Sequence, residues 1–372
     1  MKFHSFPWLL SIIIALSFCR EISTTAADHP TKTKYVLWVM LDGLRWQEVF
    51  HGADEGLINK DRGGVEKPDQ VKAEFLRGTP AESRAALLPF LWTEVAKKGQ
   101  IYGNQWEESV ATVTNKELFS YPGYNEVLCG FADHKITSND KNYNNNVTVL
   151  EWLHAKPEFA GRIAAFTSWE VFPYIINDRR SGIMVNGGLA PLTGITETAE
   201  VRLLNRLMAE TPLYADETRP DALTFHAARL YLAAKKPRVL FVSFDETDAQ
   251  GHAGRYDRVL GGAKKNDAFI RELWELAQSL PEYRDQTTLV ITTDHGRGDP
   301  PVEWKNHNKN TPGSENIWLA VMGPDTRPLG ERQKVAPVTQ SQVAATVAAL
   351  LGYDYRAYVP QAGEAIREVL GK

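Results

Sequence analysis

Three apolar runs constrain this chain most: Tyr35–Leu41 (YVLWVML), Arg238–Phe244 (RVLFVSF) and Thr287–Thr293 (TTLVITT). Near-continuous hydrophobicity over six or seven residues is how a strand covered on both faces reads, and such strands occur chiefly in parallel sheets. Arg162–Phe166 and Ile317–Met322 (IWLAVM) read the same way, and Ile101–Trp106 reads as a short strand. Helical spacing of apolar residues lies between them. It covers Ala85–Lys98 (stopped by Gly99), Val147–His154, Val201–Met208, Asp221–Lys235, Asn266–Leu280 and Gln340–Leu351. Glu55–Ser83 is rich in charge, Gly and Pro and reads as a long loop contributing to a small cap, and Asn177–Gly194 reads as a Gly-rich loop. Strands alternating with helices predict an α/β fold, a central mostly parallel sheet flanked by helices.

Several function classes drop out. There is no internal repeat, no P-loop and no dinucleotide-type glycine fingerprint following a strand. A formal net charge of −4 and the lack of a basic stretch interleaved with aromatics argue against a nucleic-acid partner. At the N-terminus, Lys2, the apolar run Pro7–Phe18 and the small residues Thr25-Ala26-Ala27 make residues 1–27 a signal peptide cleaved near Ala27. The run is too short to span a bilayer comfortably. The expected product is residues 28–372, a single catalytic domain, secreted or periplasmic, with no stable membrane anchor. Cys19 leaves with the leader, so the mature chain keeps only Cys129, without an intramolecular disulfide, and its apolar neighbours point to a buried structural thiol. Asn146-Val147-Thr148 is a glycosylation sequon.

In open α/β sheets, ligands bind beyond the carboxyl ends of the strands. Here those ends carry Asp42, the stretch Asp245-Glu246-Thr247-Asp248-Ala249-Gln250-Gly251-His252, and Asp294-His295-Gly296, with His307 in a later polar loop. Asp248 and His252 are four apart, which on a helical turn places them on one face. With a third ligand such as His307, they would hold a zinc ion and leave a position open. Asp294 and His295 would reach a second ion at the strand's end, joined by Asp42 and by the hydroxyl of Ser120. Ser120 precedes Tyr121-Pro122-Gly123, where Pro122 suits the first turn of a helix. The helix N-terminus favours an anion, and a pair of cations would lower the pKa of the serine hydroxyl. Taken singly, each residue has an ordinary explanation: an aspartate after a strand is more often a helix cap than a ligand. The combination at three strand ends is what carries the metal reading.

These residues resemble the alkaline phosphatase superfamily, and within it the branch of nucleotide pyrophosphatases and type I phosphodiesterases. The resemblance spans about Tyr35 to Gly352. It rests on Asp42-Gly43 after the first strand, on Ser120 before Tyr121-Pro122 with Gly130 closing the helix, and on Asp248-x-x-Gly251-His252, Asp294-His295-Gly296 and His307. It implies an alkaline-phosphatase-like sandwich and two divalent ions, Zn²⁺ with Mn²⁺ as the alternative. One ion would take Asp248, His252 and His307, the other Asp42, Asp294, His295 and Ser120. The resemblance also implies that Asn139 binds a phosphoryl oxygen and that Ser120 is the nucleophile.

The same resemblance narrows the chemistry. A sulfatase requires Cys or Ser followed by x-Pro-x-Arg, and this chain has Tyr124 at the arginine position. A phosphoglycerate mutase would carry a second catalytic domain, and Leu150–Leu240 is too short for one. Phosphomonoesterases of the superfamily set a basic residue or Lys-x-Arg pair against the phosphate, whereas the corresponding strand end is Thr167-Ser168-Trp169-Glu170-Val171. The expectation is a metal-dependent hydrolase of small-molecule phosphate esters, at phosphodiester or pyrophosphate bonds, acting through a phosphoserine. The alternatives are a phosphomonoesterase or sulfatase-like hydrolase, and a non-catalytic secreted metal-binding protein. Arg179, Arg180 and Arg297 are candidate substrate contacts or surface charges. Tyr121, Tyr124, Trp169 and Phe172 are either pocket-lining or core residues.

Overall fold

The computed structural model describes residues 1, 31–215 and 217–371; the expected leader beyond Met1, with Cys19, lies outside the described residues. The strands in chain order are β1 (Tyr35–Leu41), β2 (Gln100–Tyr102), β3 (Ala111–Thr112), β4 (Ile163–Thr167), β5 (Met184–Gly187), β6 (Val239–Phe244), β7 (Thr287–Thr292), β8 (Leu319–Met322), β9 (Gly330–Glu331) and β10 (Val338–Thr339). Eight of them form one sheet in the order β5-β4-β6-β1-β7-β8-β2-β9, and β3 pairs with β10 apart from it. From β5 to β7 the pairing is parallel, and β8 is antiparallel to both its neighbours.

The central strand shows why its sequence lacks alternation. Leu37, Val39 and Leu41 enter one core layer, and Val36, Trp38 and Met40 enter the other. The first layer is closed by helices that include Asp221–Lys235 and Tyr256–Ser279, the second by Ser120–Cys129, Val149–His154 and Val343–Leu350. With both faces covered, every position of β1 after Tyr35 is apolar and buried. The register aligns Leu41 with Phe244 and Met40 with Thr292, so the carboxyl ends of β6, β1 and β7 lie side by side.

Two loop expectations are corrected. Glu55–Ser83 contains the helix Pro68–Phe75 and the first turn of the helix Pro80–Leu87, each with proline at its start. Thr79 caps the second by accepting the Glu82 N–H, and Phe75 and Leu87 reach the core. That Thr-x-x-Glu signature, with Pro at the helix start, was present in the sequence but diluted by surrounding charge. Pro80–Leu87 then ends just before Pro89, so the helix expected over Ala85–Lys98 is interrupted at Leu88 and resumes with a π-helical turn over Leu91–Val95 and an α-helical turn over Ala96–Lys98 that Gly99 ends as expected. Asn177–Gly194 holds the edge strand β5, whose first two residues are only partly buried and which therefore lacks an apolar run. The Asn146 side chain is committed inside the protein, its amide donating to Asn125 Oδ1 at 3.0 Å and Asp133 Oδ2 at 2.8 Å. Cys129 is buried, as expected, and is a free thiol.

Trp38 is fully buried at the centre of β1 and packs edge-to-face on Phe241, ring centroids 5.5 Å apart. Trp38→Ala is expected to destabilise the fold by about 3–5 kcal/mol through lost burial and a cavity, read by denaturant unfolding.

Candidate active site

Ser120 opens a ten-residue helix, Ser120–Cys129. Phe119 before it is extended, Pro122 occupies its first turn, and Gly130 ends it at φ +80°, a left-handed conformation that suits glycine. Ser120 is 7% exposed, and its Oγ lies 3.4 Å from His295 Nε2. Asn139 is set against the same helix end, its Oδ1 accepting the Tyr121 N–H at 3.0 Å. Ahead of the helix, Leu118 adopts φ +57°, and its carbonyl accepts from His307 Nδ1 at 3.1 Å.

Asp42, Asp294 and His295 form a buried cluster in which each side chain has one atom tied and one released. Asp42 Oδ2 accepts from the Tyr124 hydroxyl at 2.8 Å. Asp294 Oδ1 accepts from the Gly43 N–H at 3.2 Å. His295 Nδ1 donates to the Gly296 carbonyl at 2.9 Å, which leaves its Nε2 facing the site. Nε2 is 3.4 Å from Asp42 Oδ1 and 3.3 Å from Asp294 Oδ2. Both of those oxygens are buried and lack a hydrogen-bond partner among the described residues.

A second cluster adjoins it. Asp248 and His252 lie on the short helix Glu246–His252, with His252 Nε2 3.3 Å from Asp248 Oδ2. Asp221 secures the start of that helix by accepting the N–H groups of Asp245 (2.8 Å) and Glu246 (3.0 Å). His307 Nε2 lies 3.5 Å from Asp248 Oδ1 and 2.8 Å from His252 Nε2. Asp248 Oδ1 is 3.9 Å from His295 Nε2, so the clusters share an edge. Among the described residues, Asp42/Asp294/His295 and Asp248/His295/His307 are both spaced to hold a metal ion, and His252 flanks the second set.

The electrostatics point the same way. Burial, followed by the charges of Asp294, Asp248 and Asp245, holds the Asp42 carboxyl well above the usual carboxylate range. Burial also raises Asp294, against the pull of His295. Burial acts on Asp248 too, but Arg297, His252 and His307 outweigh it and hold that carboxyl well below the usual range. Burial, then His295, holds the His307 imidazole well below its ordinary value, leaving it neutral and able to ligate. A cluster of buried carboxyl groups with orphaned oxygens beside imidazole nitrogens is a fitting donor set for a divalent cation of borderline hardness.

Eight candidate residues of the sequence thus meet beyond the carboxyl ends of the central strands β6, β1 and β7: Asp42, Ser120, Asn139, Asp248, His252, Asp294, His295 and His307. Two further residues take part in ways the sequence concealed. Arg297, immediately after Asp-His-Gly, is a buried clamp. It contacts Asp248 Oδ1, donates to the Asp248 carbonyl at 3.0 Å, and donates to the Lys305 carbonyl two residues before His307. Gly43 makes room for it: a Cβ there would stand 2.6 Å from Asp248 Oδ1 and 3.0 Å from Arg297 Nε. Tyr124 is in contact with Asp42 rather than with a pocket. Tyr121, Trp169 and Phe172 are core residues as well, none more than 5% exposed. Arg180 pairs with Glu151, and Arg179 lies over the Tyr143 ring, so neither joins the site.

Comparison with known proteins identifies the family and the fold. The sequence matches the family described as type I phosphodiesterase / nucleotide pyrophosphatase over residues 61–322, a range that holds every candidate residue except Asp42. No curated protein matches the sequence. Among solved structures, the alkaline phosphatase PafA is similar at a TM-score of 0.59 and 11% identity, covering 93% of this chain and 100% of its own. The lipoteichoic acid synthase LtaP from Listeria monocytogenes is similar at 0.54 and 13%, covering 90% and 77%. A 2-O GAG sulfatase is similar at 0.52 and 13%, covering 91% and 74%. At these identities the likeness establishes the alkaline-phosphatase-like fold.

Arg297→Met would strand Asp248 and release two carbonyls. In chelator, this variant is expected to lose about 3–5 kcal/mol of unfolding free energy, the usual result of unpairing a buried charge. Arg297→Lys, which keeps the charge but not the fork, is expected to fall between. Denaturant titration of the three chains reads the order.

Proposed function

The chain belongs to the type I phosphodiesterase / nucleotide pyrophosphatase family, and from that premise we propose that it is a two-metal hydrolase of phosphodiester or pyrophosphate bonds acting through a phosphoserine at Ser120. One observation carries the proposal: Asp42 Oδ1, Asp294 Oδ2 and His295 Nε2 are left free and converge, with the Ser120 hydroxyl 3.4 Å from that nitrogen.

The proposed ligands are Asp248, His252 and His307 for one ion and Asp42, Asp294, His295 and Ser120 for the other. Zn²⁺, or alternatively Mn²⁺, would supply Lewis-acid activation of the serine hydroxyl and charge balance at the leaving oxygen. Ser120 Oγ loses its proton to solvent and attacks the phosphorus in line, expelling on the opposite side an alkoxide, which takes a proton from solvent, or a phosphate. The Asn139 amide, held by the Tyr121 N–H through its oxygen, donates from its NH₂ to a non-bridging oxygen as negative charge builds there. Water then enters from the vacated side and cleaves the serine–phosphorus bond, restoring Ser120 and releasing the phosphoryl product.

A phosphomonoesterase is the second reading, and one contact favours it. Lys141, two residues beyond Asn139, reaches the end of β4 and pairs with Glu170 at 2.7 Å. That brings a basic residue to a strand end whose own sequence has none, although Glu170 already balances its charge. We further propose that residues 28–372 act as one catalytic domain after removal of the leader, in a secreted or periplasmic setting. Among the described residues, no helix is long and apolar enough to cross a membrane.

The decisive experiment is a screen of a bis-aryl phosphate, an aryl phosphate and an aryl sulfate, run on the purified chain, on Ser120→Ala and on chelator-treated protein. Fastest turnover of the diester is expected. Ser120→Ala should lose essentially all turnover while keeping its metal content, and the chelated enzyme should recover with Zn²⁺ or Mn²⁺. Full activity in Ser120→Ala would refute the nucleophile. Preference for the monoester or the sulfate would transfer the assignment to that class.

A further inference from the structure

We infer that the Tyr124 hydroxyl is the positioning residue that makes Asp42 a one-oxygen ligand and aims its Oδ1 at the ion shared with Asp294 and His295. The inference rests on the metal reading proposed above. Tyr124 is four residues after Ser120 in the same helix, so the nucleophile and the phenol lie on one face. The ring is fully buried and wedged against Phe172, centroids 4.5 Å apart, which gives its hydroxyl a fixed place.

That hydroxyl is 2.8 Å from Asp42 Oδ2 and 2.8 Å from Ser243 Oγ. A phenol has one proton and a carboxylate only accepts. With the Tyr124 proton directed to Asp42, the Ser243 hydroxyl must donate to the phenol oxygen. The result is a directed chain from Ser243 on β6, through the helix that bears the nucleophile, to the end of β1. The backbone of Asp42 is held separately: its N–H donates to the Phe244 carbonyl at 2.9 Å, and its own carbonyl accepts from Thr247 Oγ1 at 2.5 Å. With the backbone fixed, the remaining freedom is rotation of the carboxylate, and Tyr124 removes it. Oδ1, left without a partner, then faces His295 Nε2 at 3.4 Å.

The type of donor matters. Asp248 is oriented by Arg297, whose positive charge is partly neutralising. Asp42 is oriented by a neutral group, which fixes the carboxylate and leaves its charge available to the cation. Partners that hold a ligand from behind in this way typically alter metal affinity by about 10–100-fold when removed.

Tyr124→Phe keeps the ring and deletes only the hydroxyl. Zn²⁺ affinities by competition with a chromophoric chelator, metal content after desalting, and unfolding temperature in chelator are the readouts. The wild-type chain is expected to bind two ions. Tyr124→Phe should hold one as the wild type does and the other about 10–100-fold more weakly. Ser243→Ala, which removes only the donor behind the phenol, should weaken the same ion by a smaller factor. Two ions at wild-type strength in Tyr124→Phe would overturn the inference, whatever happens to the unfolding temperature, because packing alone would then be its role. If Tyr124→Phe does not fold, unchanged affinities in Ser243→Ala overturn it instead. A wild-type chain that binds no ion would refute the metal reading itself.

Discussion

Mutual repulsion among Asp42, Asp294 and Asp248, held together away from water, is the interaction to which the rest of the structure answers. Side chains of like charge do not gather in a dry place unless something holds each one there. Here the hold is specific and one-sided. A phenol grips Asp42, a backbone amide grips Asp294, a guanidinium grips Asp248, and carbonyls grip the inner nitrogens of His295 and His307. Each grip takes one polar atom and leaves another facing inward. The parallel register of β6, β1 and β7 is what brings the grips within reach of one another, since it sets three strand ends abreast.

Much of this was legible in the sequence, and for a physical reason. A strand buried on both faces cannot hide its apolar run, so β1, β6 and β7 could be placed and their terminal acids recognised. Asp248 and His252 announced themselves by helical spacing, and Ser120 by the proline two residues on. The edge strand β5 was not legible, because a half-covered strand needs no such run. The helices that begin within Glu55–Ser83 were masked by their charge, since each buries only a residue or two.

The supporting residues were harder to see than the proposed ligands. Tyr124 reads as one more aromatic in a helix, and nothing local says that its hydroxyl meets an aspartate 82 positions earlier. Arg297 reads as a substrate contact or a surface charge, yet it is 3% exposed and ties together the segments that bear Asp248 and His307. Lys141 reaches β4 from a segment with no recognisable structure of its own. Ligand types and their spacing are local properties of a chain. The partners behind them are set by tertiary contact, which periodicity does not encode.

The clamp at Arg297 also gives the two halves of the site different histories. Asp248 meets its counter-charge as soon as the chain closes, because that charge is covalently part of the fold. Asp42 and Asp294 have no guanidinium or ammonium against them, only the His295 imidazole between them. A newly folded molecule is therefore pre-assembled on one side and internally opposed on the other. A divalent cation held between Asp42 and Asp294 would relieve that opposition, a relief that Arg297 already gives Asp248 from within the fold.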